Sequence, residues 1–376
     1  MTTPARIVVA LSGGVDSAVA ACLLKEQGFD VECLHMSNWD DDDGYCDAAT
    51  DLKDARSVCD RLGVPLHRVS FAREYRESVF ADFLSETRAG RTPNPDVLCN
   101  REIKFGLMRR YARRLGADRL ATGHYARLDS IDGEPILLKG RDPEKDQSYF
   151  LHAVATADFA GVSFPLGDMG KRQVRELARR AGLAVAAKRD STGICFIGER
   201  PFAEFLRRYV APDPGSIVTE DGRVVGEHRG LHSYTLGQRK GLGVGGVESA
   251  DESPWYVAAK RPGTRELVVV QGEDHPALLS DWLTTDPVHF VGPAPAGWRA
   301  RGSIRCGIRI RYRQSDQPCT LIRTGDAASR VVFDRPQRAV TPGQYAVFYL
   351  GERCLGGARI ERAGREVETL AGAETA

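Results

Sequence analysis

The chain has 376 residues, of which 42% are hydrophobic and 27% charged, so it is not a disordered chain and two or three globular domains are expected. The net charge of +1 excludes a globally basic nucleic-acid-binding protein, so a nucleic-acid surface would have to be a local patch. No apolar run reaches the length of a membrane span, the N-terminus lacks a signal-peptide pattern, and the nine cysteines contain no Cys-x-x-Cys pair. We therefore expect a cytoplasmic protein with no membrane contact, with reduced thiols and without a zinc site.

The first predicted element is a buried strand that enters a helix through a glycine–serine turn. Residues 7–11 are apolar, as in a parallel strand covered on both faces, and residues 18–27 have a helical pattern that Gly28 ends. The turn between them, residues 12–17, reads Ser-Gly-Gly-Val-Asp-Ser. Its glycines let the backbone approach a ligand, and the N–H groups and dipole of the helix start favour an anion. The turn predicts a phosphate site, and its lack of a lysine distinguishes it from the loop that ends in Gly-Lys-Ser/Thr.

The first half of the chain alternates strands and helices. Apolar runs and helical periodicity predict strands at 31–36, 66–71 and 120–123 and helices at 51–62 and 75–84. This order predicts a doubly wound parallel sheet, in which ligands bind at the carboxyl ends of strands. The turn at 12–17 falls at such an end, as do Met36, Gly123 and His124, so one shared site is expected. For the acidic run 40–43, a solvated loop is the favoured interpretation and a magnesium role is the alternative.

A loop rich in proline and asparagine, residues 90–100, carries the first candidate reactive cysteine. Asn94 is a good helix N-cap and Pro95 a good first helical residue, which places Asp96 and Cys99 on one helix face. A helix N-terminus favours the thiolate form of a nearby cysteine. The alternative is that Cys99 packs in a core. Core packing is the interpretation favoured for three cysteines in apolar patterns: Cys22, Cys33 and Cys59.

The second candidate is Cys195, in a loop at residues 190–198 that is rich in turn-forming residues. Loops carry reactive groups more often than cores do, and a reactive and a structural role both remain open for this thiol. The helix predicted at 172–180 has basic residues outside its apolar face. A solvated face and a nucleic-acid contact are both open for that helix.

The sequence pattern of the second half of the chain predicts two β-rich domains. Linkers near 211–215 and 272–280 enclose short strands with turn signals, which predict a small β-rich domain. The strands predicted beyond the second linker form a small barrel: 282–290, 299–313, 319–323, 330–333 and 345–350.

Arginine and apolar residues alternate along residues 299–313. In an extended strand the arginines would share one face, which suggests phosphate recognition, with a merely solvated strand face as the alternative. A bulge at Gly302 or Gly307 would break this register. The arginines at the odd positions are Arg299, Arg301, Arg305, Arg309, Arg311 and Arg313.

The turn at 12–17 resembles the signature of the PP-loop ATP pyrophosphatases, which cleave ATP between the α and β phosphates and adenylate a substrate oxygen. Almost the whole chain, in order, resembles one family within that group, the tRNA-specific 2-thiouridylases. The matching motifs are residues 11–17, 90–100, 102–105, 121–125, 145–150, 190–198, 236–242, 311–314 and 341–344.

The resemblance implies three domains and a reaction. The domains are a PP-loop ATP-binding catalytic domain at 1–208, a small β-rich central domain at 209–275 and a C-terminal β-barrel tRNA-binding domain at 276–376. ATP with Mg²⁺ would adenylate the C2 oxygen of the wobble uridine in the anticodon region of a tRNA. A persulfide sulfur would then displace AMP, giving 2-thiouridine, AMP and pyrophosphate. The implied second partner is a sulfur-donor or sulfur-relay protein.

The resemblance also implies roles for individual residues. Cys195 would carry the persulfide, Cys99 would attack that persulfide or resolve it as a Cys99–Cys195 disulfide, and Asp96 would act as acid or base beside the base. The implied ATP-binding residues are Ala10, Leu11, Ser12, Gly13, Gly14, Val15, Asp16, Ser17, Met36 and Gly123. The implied tRNA-binding residues are Asn94, Pro95, Asp96, His124, Lys145, Asp146, Gln147, Arg311, Tyr312 and Gln344.

Three alternatives are weighed against this function. Another PP-loop adenylating enzyme would need neither the paired cysteine loops nor the arginine strand. A non-catalytic RNA-binding protein could retain the nucleotide loop, and tRNA-dependent pyrophosphate release would distinguish it. An iron–sulfur cluster with Cys99 and Cys195 among its ligands would keep the reaction but change the cofactor, and it is not favoured.

Overall fold

Three β-sheets organise the protein, whose computed structural model describes residues 4–39, 47–190, 202–244, 253–325 and 328–365. The strands are β1 (Arg6–Ala10), β2 (Asp30–Ser37), β3 (Leu66–Ser70), β4 (Arg119–Thr122), β5 (Ala126–Ile131), β6 (Glu134–Lys139), β7 (Val162–Ser163), β8 (Gly215–Val218), β9 (Val224–His228), β10 (Trp255–Arg261), β11 (Glu266–Gln271), β12 (Leu279–Thr285), β13 (His289–Phe290), β14 (Ser303–Arg309), β15 (Gln317–Arg323), β16 (Ser329–Arg338), β17 (Tyr345–Leu350) and β18 (Arg353–Gly364).

The helices lie mainly in the first half of the described chain. The α-helices are α1 (Val15–Glu26), α2 (Asp47–Leu62), α3 (Ala72–Tyr75), α4 (Ala81–Arg88), α5 (Pro95–Leu98), α6 (Arg109–Arg114), α7 (Ser148–Leu151), α8 (Lys171–Arg180), α9 (Phe202–Leu206) and α10 (Ala296–Arg301). Two π-helical segments, Arg76–Phe80 and Cys99–Met108, continue neighbouring α-helices, and short 3₁₀ turns span Thr156–Phe159, Ala184–Ala187, Leu231–Ser233 and Pro276–Leu278. None of the helices in the described ranges is both long and apolar enough to cross a membrane.

The first sheet is parallel throughout and has the strand order β3-β2-β1-β4-β7. Alternate residues of β1 enter separate cores, with Val9 packing among α1, α2 and α8 and Val8 packing among α4, α6 and α9. Helices therefore cover both faces, and the predicted doubly wound parallel sheet is confirmed. The strand order reverses beside β1, where a crevice for a ligand forms in such sheets.

Two β-sheets form the second half, as predicted. The central sheet has the order β10-β11-β8-β9 around a small core that includes Ile217, Val257 and Leu267. The last sheet contains a closed six-stranded barrel of order β12-β16-β15-β14-β17-β18, because β12 also pairs with β18. The predicted C-terminal barrel is therefore confirmed.

The strand predicted at 299–313 is confirmed only over β14, and the shared arginine face is wrong. Helix α10 occupies its first residues, and Gly302, with a φ of +66°, ends that helix in the left-handed conformation. Only β14 is extended, and the chain turns at residues 311–313. A period of two therefore ran through a helix, a strand and a turn, three conformations that point the arginines in different directions.

Several strands differ from the prediction in extent. The strand predicted at 282–290 is two strands, β12 and β13, the strand predicted at 330–333 is part of the longer β16, and β18 was not predicted. The hairpin of β5 and β6 was also missed, although its turn is the Asp132-Gly133 pair, a strong hairpin signal.

This hairpin joins the parallel-sheet unit to the barrel. Strand β6 pairs with β18, with Leu138 opposite Arg353. Beside it, one apolar core combines Phe105 and Tyr149 from the first half of the chain with Val347 from the barrel. The two units therefore share both a sheet and a core.

Candidate active site

The turn between β1 and α1 forms a hydrogen-bonded loop at the carboxyl edge of the parallel sheet. The Ser17 hydroxyl donates to the Gly14 carbonyl oxygen at 3.1 Å and lies 3.1 Å from the Ser12 hydroxyl. Gly13 has a φ of +86°, and a Cβ there would lie 2.4 Å from the Asp51 carbonyl oxygen, so only glycine fits. The first three N–H groups of α1 find no acceptor among the described residues. They are available to an anion.

Asp16, in the first turn of α1, is held by a tyrosine and a lysine from distant parts of the chain. Tyr125 donates its hydroxyl proton to Asp16 Oδ1 at 2.7 Å, and Lys171 Nζ lies 2.8 Å from both carboxylate oxygens. Lys171 Nζ also lies 2.7 Å from Asp190, so each of its three protons has a carboxylate acceptor. Burial, reinforced by the Asp16 carboxylate, raises the pKa of Tyr125 and keeps its hydroxyl a donor. The first residue of α8 thus brings a lysine to a loop that has none of its own.

Asp190 connects this lysine to two further cations. Its carboxylate lies 2.7 Å from Lys145 Nζ, 2.7 Å from Lys171 Nζ and 2.8 Å from Arg175 Nη2. Burial by itself would raise the pKa of Asp190, but the hydrogen bonds from Lys145 and Lys171 outweigh it and lower the pKa to about 2. Asp190 is therefore ionised at neutral pH and joins the loop to Lys145, a residue expected to contact tRNA.

A second lysine approaches the loop from its other side. Lys188 Nζ donates to the Gly13 carbonyl oxygen at 3.2 Å, lies 2.7 Å from Asp51 and pairs with Asp54. Burial alone would lower the pKa of Lys188, but hydrogen bonds and charge from the two aspartates outweigh burial and raise this pKa above its ordinary value. The ammonium therefore stays charged. Sequence reasoning missed both Lys171 and Lys188 because each lies more than 150 positions from the loop, and no local pattern reports such a contact.

The ends of the neighbouring strands pack directly on the loop. A Cβ at Gly123 would lie 2.6 Å from the Ser17 backbone nitrogen, so β4 meets the loop without a side chain between them. His35 Nδ1 lies 2.9 Å from the Leu11 carbonyl oxygen, and Met36 is half-buried in the same strand, β2. All of the residues expected to bind ATP lie at this edge of the sheet: Ala10, Leu11, Ser12, Gly13, Gly14, Val15, Asp16, Ser17, Met36 and Gly123.

The loop before Cys99 is hydrogen-bonded to both other sheets. Gln344 Nε2, from the barrel, donates to the Thr92 carbonyl oxygen at 2.7 Å, and the Thr92 N–H donates to the Pro342 carbonyl oxygen at 3.0 Å. Lys260, from β10, donates to the Gly90 carbonyl oxygen at 3.0 Å. Burial lowers the pKa of Lys260 to about 8. The barrel and the central sheet therefore both fix the backbone that leads to Cys99.

Cys99 lies beyond this loop, where α5 passes into the π-helical segment. Asn94 has extended dihedral angles and Pro95 begins α5, as predicted, but the Asn94 side chain makes no capping hydrogen bond. Asp96 is half-buried and Cys99 is 1% exposed. Asn38, which follows β2, donates from Nδ2 to Cys99 Sγ at 3.8 Å. Cys99 is thus buried near the same sheet edge as the loop.

The other predicted thiols divide into buried and undescribed ones. Cys195 and its loop from residue 191 onward lie outside the described residues, as does the acidic run 40–43. The core positions predicted for Cys22, Cys33 and Cys59 are confirmed, since all three are buried. In the described part of the chain, no three or more His, Cys, Asp or Glu side chains form a group that could hold a metal ion.

Known protein families match almost the whole chain. A family model described as the tRNA methyl transferase HUP domain matches residues 5–199, the corresponding PRC-barrel domain matches 203–271, and an aminomethyltransferase beta-barrel domain matches 280–360. The tRNA-specific 2-thiouridylase MnmA of Pseudomonas fluorescens (strain Pf0-1) is 54% identical over 362 residues, 96% of each chain. That of Pseudomonas syringae pv. syringae (strain B728a) is 55% identical over 358 residues, 95% of this chain and 94% of the relative.

The chain belongs to the tRNA-specific 2-thiouridylase family. A solved 4-thiouridine synthetase–RNA complex with bound ATP aligns with 54% of this chain and 49% of its own, at a TM-score of 0.36 and 18% identity.

One group of the residues expected to bind tRNA lies where the parallel-sheet unit meets the barrel. The Tyr312 hydroxyl donates to the Lys145 carbonyl oxygen at 3.4 Å, and Gln147 accepts the Tyr125 N–H at 3.0 Å. Asp146 is only 2% exposed, and its carboxylate pairs with Arg309 at 2.8 Å. The Asp146 side chain thus holds the protein together, while Lys145 and Tyr312 remain half-buried near its surface.

The remaining residues of that expectation are spread over three places. Asn94, Pro95 and Asp96 follow directly on Thr92 and Pro93, whose carbonyl oxygens accept hydrogen bonds from the Gln344 amide nitrogen. Arg311 donates to the carbonyl oxygens of the last residue of β16 and of the residue after it, at 3.3 and 3.0 Å. His124 is 8% exposed, bonded to Thr122 at 2.7 Å and packed beside Phe105, and burial lowers its pKa. The side chains of His124 and Asp146 therefore face the interior.

The two arginines that do lie in β14 are neutralised by acids, contrary to the expected phosphate-binding face. Arg305 pairs with Asp334 at 2.6 Å, and Arg309 pairs with Asp316 at 2.7 Å as well as with Asp146. These acids come from other segments, which the alternation within 299–313 could not reveal.

Proposed function

We propose that this protein is an ATP-dependent tRNA-uridine 2-sulfurtransferase. It adenylates the C2 oxygen of the wobble uridine and replaces that oxygen by sulfur, giving 2-thiouridine, AMP and pyrophosphate. The observation that carries the proposal is the match to 2-thiouridylases at 54–55% identity over almost the full length of both chains. The phosphate-type loop with its helix N–H groups supports the same chemistry.

ATP binds in the proposal at the edge formed by the loop and the ends of β1, β2 and β4. The N–H groups of α1 receive phosphate oxygens, while Lys171 and Lys188, each paired with two aspartates, hold the loop from either side. Mg²⁺ would enter this site as part of Mg–ATP, because the ion is commonly held by one or two carboxylates together with phosphates; Asp16 is the carboxylate of the loop, and to bind the ion it would have to share oxygens that contact Lys171 and Tyr125. Bound Mg²⁺ would neutralise charge on the leaving pyrophosphate.

Sulfur transfer in the proposal uses Cys195 as carrier and Cys99 as second thiol. The terminal sulfur of a Cys195 persulfide attacks C2, and AMP leaves with the C2 oxygen. The Cys99 thiolate then attacks the Cys195 sulfur, which releases the thiocarbonyl and leaves a Cys99–Cys195 disulfide that an external thiol reduces. Alternatively, Cys99 attacks the persulfide first and releases sulfide as the nucleophile. Asp96 accepts or donates the proton beside the base.

The proposal includes partners and a domain division. A sulfur-relay protein delivers the persulfide in the cytoplasm, where tRNA is the other substrate. The catalytic, central and barrel domains are taken as 1–208, 209–275 and 276–376. The loop before Cys99 supports a joint role of the three domains, because Lys260 of the central domain and Gln344 of the barrel donate to Gly90 and Thr92 of the catalytic domain. An iron–sulfur cluster remains the less favoured cofactor.

The deciding experiment is mass spectrometry of tRNA after incubation with the protein, ATP and a sulfide source. The expected product is a wobble uridine in which one oxygen is exchanged for sulfur, with AMP and pyrophosphate formed in equal amounts. Addition of a methyl group, or release of ADP and phosphate, would refute the proposal. An anaerobic visible spectrum tests the cluster alternative separately.

A further inference from the structure

Asn38 stands at the sheet edge that carries the loop, immediately beyond β2. Its Nδ2 donates to Cys99 Sγ at 3.8 Å. Its Oδ1 is buried from solvent and has no hydrogen-bond partner among the described residues. The Cys99 thiolate that sulfur transfer requires can only accept a hydrogen bond, so it orients Nδ2 toward the sulfur and leaves Oδ1 as the unpartnered acceptor.

An unpartnered buried acceptor destabilises a protein unless something else satisfies it. Asn38 is one residue removed from Ser37, the last residue of β2, and two from Met36, in the crevice region where ligands of such sheets bind. A substrate that enters beside Cys99 and offers one hydrogen-bond donor would complete this group.

We propose that Asn38 is a specificity-determining residue, whose Oδ1 accepts the N3–H proton of the target uracil. The inference rests on the proposed function, since it requires a uridine beside Cys99. Uracil has a single ring N–H on its pairing edge, N3–H, and N3 is bonded directly to C2, the reacting carbon. An acceptor held against the Cys99 sulfur is therefore suited to read the atom next to the reaction centre.

The same acceptor rejects cytosine. Cytosine carries a lone pair at N3 in place of the proton, so its N3 would face Oδ1 with two acceptors and no hydrogen between them. Turning the amide to offer its NH₂ group would place Oδ1 against the Cys99 thiolate, with two acceptors in contact and no hydrogen between them. A site built around one hydrogen bond discriminates in this way against a ligand that lacks it, because the buried polar group is left unpaired.

Asn100 provides a matched control, because it is the same residue type, adjacent to Cys99, with a buried Oδ1 that also lacks a partner among the described residues. Its Nδ2 donates to the Phe150 carbonyl oxygen at 3.2 Å, on α7, so its amide is oriented by another element and not by the cysteine sulfur. The proposal assigns base discrimination to Asn38 and not to Asn100.

The test compares binding of tRNA with uridine or cytidine at the wobble position, in full-length protein with a non-hydrolysable ATP analogue. Wild-type protein should bind the uridine form roughly tenfold or more tightly. Asn38→Ala should weaken binding of the uridine form toward that of the cytidine form, and Asn100→Ala should leave their ratio of dissociation constants unchanged. Asn38→Asp, which keeps an acceptor of the same size, should retain a preference for uridine.

Two outcomes would overturn the inference: an unchanged ratio in Asn38→Ala, or an equal loss of ratio in Asn100→Ala. Binding of the ATP analogue alone, measured for each variant, shows whether the site has kept its fold. If Asn38→Ala does not fold, the inference stands or falls with Asn38→Asp, where loss of the uridine preference would refute it. Failure of wild-type protein to thiolate tRNA would instead refute the proposed function.

Discussion

Replacing Lys171 by methionine tests the ionic arrangement around the nucleotide loop. The substitution keeps an unbranched side chain and removes a cation that contacts Asp16 twice at 2.8 Å and Asp190 at 2.7 Å. Lys171 is 13% exposed and both carboxylates are 31% exposed, so solvent screens part of the interaction. After that allowance, the expected loss of stability is about 1–2 kcal/mol.

The expected loss of activity is larger than the loss of stability. Without Lys171, the Asp16 carboxylate faces the incoming phosphates uncompensated, and one charge-assisted contact is lost. A hydrogen bond to a charged group contributes about 1.5–3 kcal/mol, which corresponds to a fall of roughly tenfold to a hundredfold in kcat/KM for ATP. The assay is formation of AMP and pyrophosphate at saturating tRNA with ATP varied.

The control is Arg172→Met, the next residue of α8, whose side chain is exposed. It removes the same charge from the same helix start but not from the loop, so kcat/KM for ATP should be unchanged. An unaltered kcat/KM in Lys171→Met, or an equal fall in both variants, would refute the reasoning.

Three further predictions concern sulfur transfer, acid stability and tRNA. Cys195→Ser should retain adenylation but should not thiolate tRNA with a persulfide donor. Cys99→Ser should accumulate a persulfide that is detectable by intact-mass measurement. Full activity of Cys195→Ser with the physiological donor would contradict the two-thiol mechanism. Burial would raise the pKa of Asp190, but its two lysines lower that pKa from 3.8 to about 2. The ionised carboxylate therefore stabilises the folded protein fully above about pH 4, and this contribution is lost as the pH falls toward 2. Asp190→Asn should therefore flatten the acid limb of a plot of the free energy of unfolding against pH by about 1 kcal/mol, and an unchanged limb would count against this. Arg311→Ala should reduce the slope of log affinity for tRNA against log salt by about one unit, and equal slopes in wild type and variant would show that Arg311 makes no phosphate contact. Arg309→Ala should instead lower Tm, because it leaves the buried Asp146 carboxylate without its ion-pair partner.

The elements that sequence patterns predicted well are those with a local cause. The strand–turn–helix at 12–17 follows from an apolar run, a Gly-Gly pair and a helix stop at Gly28, all within a short window. The arginine alternation failed because Pro295 and Gly302, which bound α10, outweigh a period of two. A sequence window that began at Pro295 would have included both helix signals.

The part of the site that sequence could not supply is its electrostatics. Asp16 is local to the loop, but the groups that hold it, Tyr125 and Lys171, come from other elements. Likewise, Gln344 contacts the loop before Cys99 only because the barrel packs beside the parallel sheet. Contacts between segments so far apart depend on the assembled fold, and a single sequence does not encode them in any local pattern.

The pairing of β6 with β18 has a consequence for how the chain is made. A ribosome emits residues 137 and 138 long before their partners at 353 and 354, on the order of ten seconds or more at ordinary elongation rates. Throughout that interval β6 lacks its partner on one edge, and Phe105 and Tyr149 lack the barrel side of their core. The nascent chain therefore passes through a stage with an exposed edge and apolar surface, in which a chaperone that holds such surface would raise the yield of native protein.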